Sequence, residues 1–211
     1  MKTERLIDVL ARGAGPASPA AVARRLGTAA GAGLLVSAAL ALVWIGPVPA
    51  VMVGAAALWI KLAYGGALAV VAAWLAGRLA RPAASCKAAV AGVLLVVSCM
   101  AVVGAASLLG MPAAERGPAL LGSSWVTCPW SVVGLSLPAL GVALWALGGL
   151  APTRPRLAGF AAGLFAGALG AFGYALACRE ISPAFVAVWY SAGIAMTALL
   201  GAAIGPRVLR W

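Results

Sequence analysis

Six stretches of this chain are nearly uninterrupted apolar sequence, each about as long as the ~20 residues a helix needs to cross the hydrocarbon layer of a bilayer. They run over 26–45, 55–77, 88–110, 125–147, 157–177 and 184–204. Helix-stopping residues follow several of them: Gly46-Pro47, Met111-Pro112, Gly148-Gly149 and Gly205-Pro206. Backbone groups inside lipid find no water, so each segment must satisfy its own hydrogen bonds, as a helix does. The period-two alternation of an outer-membrane barrel strand is absent from the sequence. The expected fold is therefore an all-α membrane protein, a six-transmembrane-helix bundle over 26–211 preceded by a separate N-terminal segment, 1–25.

Composition excludes the water-soluble alternatives. The chain is 64% apolar and 9% charged, where a soluble domain carries about 25% charged residues. A soluble enzyme or binding module could not cover its surface, and a disordered chain would need low hydrophobicity. The segment Val48-Pro49-Ala50 loosely matches a signal-peptidase site. The 25 residues ahead of the first run are too long for an ordinary signal n-region, so that run is expected to stay in place as a span.

The net charge of +11 comes from 15 Lys+Arg against 4 Asp+Glu. Sorted by connection, the bases fall unevenly. Lys2, Arg5, Arg12, Arg24 and Arg25, then Arg78, Arg81 and Lys87, then Arg154 and Arg156, then Arg207 and Arg210 share one side, twelve in all. Only Arg116 and Arg179 lie on the other. The positive-inside rule puts the twelve, and both termini, in the cytoplasm. The charge thus reads as a topology label. It calls for a lipid bilayer and needs no nucleic-acid partner, though basic faces also favour anionic headgroups.

With that orientation, Cys128 and Cys178 lie on the outer side at similar depth, at the mouths of the fourth and fifth spans. Three readings of the pair stand: a disulfide in an oxidising compartment, a soft-metal site of two thiolates, or two unrelated cysteines. Cys86 falls in a cytoplasmic connection, and Cys99 is expected to be a small buried residue in the third span. No Cys-x-x-Cys occurs in the sequence, so a thioredoxin-like oxidoreductase lacks its motif.

Lys61 is the one ionisable residue deep in a span, and an intramembrane charge is a functional candidate by default. Its place near the outer end of the second span suits a structural lysine, or one whose stem snorkels outward. With no His and four dispersed acids, a proton relay and a Ser-His-Asp site both lack parts, and no catalytic residue is expected. Glycines recur at 159, 163 and 167, at 134, 141 and 148, and at 201 and 205. Such spacing lets helices approach closely. Trp44, Trp125, Trp130 and Trp211 near the span ends fit interfacial anchors.

Before the first span, Thr3 can cap a short helix on which Leu6, Val9 and Leu10 share a face, with Ile7 beside them. Glu4 and Asp8, half of the scarce acids, lie in the same segment. A helix of about ten residues is marginal alone and needs something to cover its apolar side. Two occupants fit: the membrane surface or the groove of a cytoplasmic partner.

The sequence resembles a known family, the bacterial membrane anti-sigma factors called negative regulator of sigma F. The matching residues are the opening Met1-Lys2-Thr3-Glu4-Arg5-Leu6-Ile7-Asp8-Val9-Leu10, Trp59-Ile60-Lys61-Leu62 leading to Arg81-Pro82, Cys128-Pro129, Cys178 after Tyr174-Ala175-Leu176, and Phe185 to Tyr190 with the ending Gly205 to Trp211. The resemblance implies an inner-membrane protein without enzymatic activity or resident cofactor. Its N-terminus, around Glu4, Leu6, Ile7, Asp8, Val9 and Leu10, would hold an extracytoplasmic-function (ECF) sigma factor. Its periplasmic thiols Cys128 and Cys178 would sense heavy metal, binding the ion transiently, or oxidative stress. The segment before Cys178 carries no His, where many relatives have one, and Cys86 and Cys99 are additional cysteines. Readings from other classes are a small transporter or channel marked by Lys61, and a membrane thiol oxidoreductase built on Cys128 and Cys178.

Overall fold

The computed structural model describes residues 3–4, 19–81, 84–150 and 152–210, and among these it is helical with no strand. Six helices are long and apolar enough to cross a membrane. They are α1 (Pro19–Trp44), α2 (Ala56–Leu79), α3 (Lys87–Leu109), α4 (Thr127–Gly148), α5 (Pro155–Ala175) and α6 (Pro183–Val208). The apolar runs anticipated them with two differences. α1 starts seven residues earlier than its apolar run, because Pro19 suits a first helical turn and the following Ala20-Ala21-Val22-Ala23 is rich in strong helix formers. α6 continues past Gly205-Pro206 to Val208. A proline in the last turn removes one backbone hydrogen bond only, and Gly205 lets α6 pass close to α5.

The third connection is more than a linker. It forms a nine-residue helix, Ala113–Leu121, opened by Pro112 and closed by Gly122 at φ 59. Glu115 sits in its first turn, where the helix dipole favours an acid.

α5 is the most buried of the six helices and forms the axis of the bundle. Its glycines are the reason. A Cβ on Gly163 would meet the Thr197 carbonyl of α6 and lie 2.7 Å from Ala198 Cα; one on Gly167 would lie 3.1 Å from Ile194 Cα. One on Gly170 would be 2.7 Å from Ser136 Cβ of α4, and one on Gly173 2.9 Å from Ser37 Cβ of α1. The 159-163-167 series therefore brings α6 onto α5, as its spacing suggests. The 134-141-148 series on α4 does not act this way: Gly134 and Gly141 have no neighbour within 4 Å of an added Cβ. α3 is the least buried helix, and Cys99 on it is exposed on the outside of the bundle rather than buried.

Polar side chains tie the helices where their backbones come close. Ser37 Oγ donates to the Leu135 carbonyl at 2.7 Å, the Tyr64 and Ser191 hydroxyls pair at 2.7 Å, and those of Ser136 and Thr197 pair at 2.9 Å. Such bonds average about 0.6 kcal/mol each in membrane proteins, so their value lies more in setting rotation than in strength. The connections gather at two opposite ends. At one, Gly149 meets Arg25, Gly148 meets Leu209, and Gly205 meets Pro155. At the other, the Val48 amide bonds to the Leu176 carbonyl at 3.0 Å, and Glu180 reaches Ser123 and Ser124.

Candidate functional site

The second of these ends, where charges are few, holds a compact group of reactive and polar side chains. Cys128 lies in the first turn of α4, its amide bonded to the Ser124 carbonyl at 2.8 Å. Cys178 lies just past α5, where the helix unwinds in a tight turn and the Cys178 amide returns to the Tyr174 carbonyl at 2.9 Å. Both thiols are free, and they are 0% and 3% exposed respectively.

Two tyrosines bring the thiols into one site. The Tyr174 phenol, on the last turn of α5, faces both Cys128 and Cys178. Tyr190, on α6, packs against Tyr174 with ring centroids 5.5 Å apart and planes tilted by 43°, and lies beside Cys178. The Tyr190 hydroxyl is fully buried and has no hydrogen-bond partner among the described residues. Tyr190 closes a π-helical segment, Val186–Tyr190. Such wide turns inside α-helices are frequent at functional sites, because one extra residue per turn re-aims the side chains. Trp189 in the same segment donates from Nε1 to the Leu120 carbonyl at 2.9 Å and packs at a tilt against Trp125, ring centroids 5.4 Å apart. The segment is thereby fastened to the short helix above it.

Lys61 enters the site from α2. It is 1% exposed, and its Nζ donates a 2.7 Å hydrogen bond to the Cys178 carbonyl. It does not snorkel to the surface. Its stem runs inward, because α5 has just ended there and leaves a carbonyl with no partner in its own helix. An ammonium next to that carbonyl satisfies both groups.

Glu180 borders the site on the solvent side. One carboxylate oxygen, Oε1, accepts from the Ser123 amide (2.8 Å) and hydroxyl (2.6 Å) and from the Ser124 amide (3.1 Å) and hydroxyl (3.0 Å). Partial burial alone would raise its pKa; the four bonds outweigh that and hold it below the usual carboxylate range. Gly122 makes the approach possible. It has φ 59, and a Cβ there would lie 2.6 Å from Glu180 Oε2.

Of the sequence candidates, the fold thus brings together Cys128, Cys178 and Lys61. Glu4 is helical and exposed, whereas Leu6, Ile7, Asp8, Val9 and Leu10 lie outside the described residues. Tyr174, Tyr190, Glu180, Ser123 and Ser124 join the site without having been marked as site residues in the sequence. A tyrosine on an apolar helix has no signature beyond its type, and the serine loop is 56 residues from the carboxylate it binds. Among the described residues no group of three or more His, Cys, Asp or Glu could hold a metal ion. Two thiols suit a soft ion content with few ligands; a structural zinc would need two more donors.

The family model for negative regulator of sigma F matches residues 10–211. Over its full length the chain is 39% identical to all of the anti-sigma-F factor NrsF of Caulobacter vibrioides (strain NA1000 / CB15N). It is 37% identical, again over the full length of both, to the probable anti-sigma-F factor NrsF of Azospira oryzae. No solved structure matches the chain.

Proposed function

The chain belongs to the family of negative regulators of sigma F, and from that membership we propose that it is an inner-membrane anti-sigma factor with a thiol sensor. In this reading both termini are cytoplasmic, and the segment containing Glu4, Leu6, Ile7, Asp8, Val9 and Leu10 holds an extracytoplasmic-function sigma factor through its apolar face. Cys128 and Cys178 face the periplasmic end and respond to a soft metal ion or an oxidant. The protein acts by binding and release, without catalysis and without a resident cofactor.

One observation carries the sensor half: two free, buried thiols lie beside the paired rings of Tyr174 and Tyr190, at the end of the bundle opposite the arginine-rich one. Either input changes this site. A soft ion binding as a bis-thiolate displaces two protons. Oxidation by hydrogen peroxide joins the sulfurs, and the two electrons and two protons removed reduce it to two waters. Both pull the start of α4 toward the end of α5. Because α5 packs backbone to backbone on α6, such a movement at one end is passed along rather than absorbed by soft side chains. The input can shift the bundle only by the difference in its affinity for the two packings.

Full-length protein in vesicles, bound to its sigma factor, tests both halves. Cys128→Ser with Cys178→Ser is expected to retain the sigma factor but no longer release it when cadmium or peroxide is added outside. Normal release by the double variant would overturn the sensor assignment. Leu6→Arg or Leu10→Arg is expected to lose the sigma factor without any stimulus. Undiminished capture by both would overturn the assignment of the N-terminal segment.

A further inference from the structure

The arginine-rich end carries a second constellation, separate from Cys128 and Cys178. A cavity of about 200 Å³ is lined by Arg78, Arg81 and Arg154 together with Thr153 and Cys86. Arg78 is in the last turn of α2, and its Nε donates to the Ser85 carbonyl at 2.9 Å. That bond fixes the plane of the guanidinium and leaves its other donors free for a ligand. Arg81 follows in the turn after α2, and Arg154 arrives from the connection before α5. Among the described residues no acidic side chain lines the cavity.

Arg78 and Arg81 also close one end of a groove of about 450 Å³ between α1 and α2. Its walls are apolar, with Val22 and Leu26 on α1 and Ala73, Trp74 and Gly77 on α2. The two helices meet at Gly77, where a Cβ would touch Val22 and Leu26 at 3.5 and 3.7 Å. The groove therefore runs along two apolar spans and ends on two arginines that it shares with the polar cavity.

We propose that this is a binding site for one anionic phospholipid, its acyl chain in the groove between α1 and α2 and its phosphoryl headgroup between Arg78, Arg81 and Arg154. The charge complementarity chooses the occupant. Guanidinium groups form paired hydrogen bonds with phosphate oxygens, and basic pockets between transmembrane helices are where anionic headgroups bind. A soluble acidic peptide would use the arginines but would have no reason to meet an apolar groove on spanning helices. The site is independent of the anti-sigma reading and holds whichever membrane face the arginines occupy.

Native mass spectrometry of the full-length protein tests the site, with three probes: phosphatidylglycerol, phosphatidylcholine with the same acyl chains, and inorganic phosphate. One phosphatidylglycerol is expected to stay bound, favoured at least about tenfold over phosphatidylcholine, and not displaced by phosphate. Arg78→Gln with Arg81→Gln and Arg154→Gln is expected to abolish the preference. The control is Arg156→Gln with Arg207→Gln and Arg210→Gln, which removes equal charge from a neighbouring cluster at the same end and is expected to leave the preference intact. Arg154→Gln alone, at an exposed side chain, is expected to weaken the preference and serves if the triple variant misfolds. Ala73→Trp, which fills the groove, is expected to weaken retention with every arginine present. Equal retention of the two lipids would overturn the proposal. Equal loss in both triple variants would reduce it to diffuse attraction, and displacement by phosphate would make it a site for a free anion.

Discussion

The ammonium of Lys61, on α2, donates a 2.7 Å hydrogen bond to the backbone carbonyl of Cys178, just beyond the end of α5. A long, charged side chain is held fully inside an apolar bundle by an atom that belongs to no side chain. The bond joins the second span to the residue that the proposed sensor depends on. Replacing Lys61 by Met keeps the volume and removes the donor. The Cys178 carbonyl is then left buried and unpaired, which costs about 1–3 kcal/mol. A lower midpoint of thermal unfolding in detergent is expected, with faster alkylation of Cys178 in the folded protein. An unchanged midpoint with an unchanged alkylation rate would mean that the bond contributes nothing to holding Cys178.

The four cysteines are expected to react in an order set by their surroundings. Cys86 is half-buried at the arginine-rich end, Cys99 is exposed on the outside of α3, and Cys128 and Cys178 are buried. A charged, water-soluble maleimide should modify Cys86 first, and a lipid-soluble one should add Cys99. Cys128 and Cys178 should lag by at least about tenfold, because they wait for a local opening of the bundle. Peptide mass mapping after timed quenching reads the order, and early labelling of Cys128 would contradict its burial.

The glycine seam between α5 and α6 should tolerate no side chain. Gly163→Ala drives a methyl into the Thr197 carbonyl and the Ala198 backbone, a contact that only separation of the helices relieves. Overpacking of this kind costs about 1–3 kcal/mol. Gly141→Ala on α4 meets nothing and should be neutral or stabilising by up to about 1 kcal/mol through helix propensity. Thermal unfolding of the two variants side by side separates the series that packs from the one that only looks similar.

Glu180 gives the folded state a pH dependence of known sign. Its pKa is lower in the folded protein than the unperturbed ~4.3 it regains on unfolding. Its contribution to stability is therefore complete above that unfolded value and is lost as the pH falls from there through the folded pKa. Glu180→Gln should remove this acid-side loss and lower stability at neutral pH. Ser123→Ala with Ser124→Ala should act in the same direction by removing two of the four donors to Oε1. Unfolding midpoints between pH 7 and pH 3 provide the measurement. A variant that keeps the acid-side loss of the parent would place its origin in another group.

The candidate site was legible in part. Cys128 and Cys178 stand out by residue type and by falling on the side with few bases. Lys61 stands out as the charge within a span. Their assembly was not legible, because what joins them is a backbone carbonyl and two tyrosine rings. Glu180 has Arg179 as its neighbour in sequence, yet its carboxylate is held by a loop 56 residues away. The packing of the short helix Ala113–Leu121 against α6, through Trp189 and Leu120, together with the close approach at Gly122, brings that loop within reach.

By itself the sequence determined the number of helices long and apolar enough to cross a membrane, their boundaries to within a few residues at most ends, and the uneven sorting of bases between the two sets of connections. These follow from local quantities: the length of an apolar run, the residue that stops it, and the charge of the loop beyond. Tertiary structure alone decided which helix lies at the centre, which glycine series packs, and where Lys61 points. Those depend on the rotation of each helix about its axis. In a chain that is apolar all round, rotation leaves no stripe in the sequence; it is settled by backbone approach at small residues and by scarce polar atoms finding partners across the bundle.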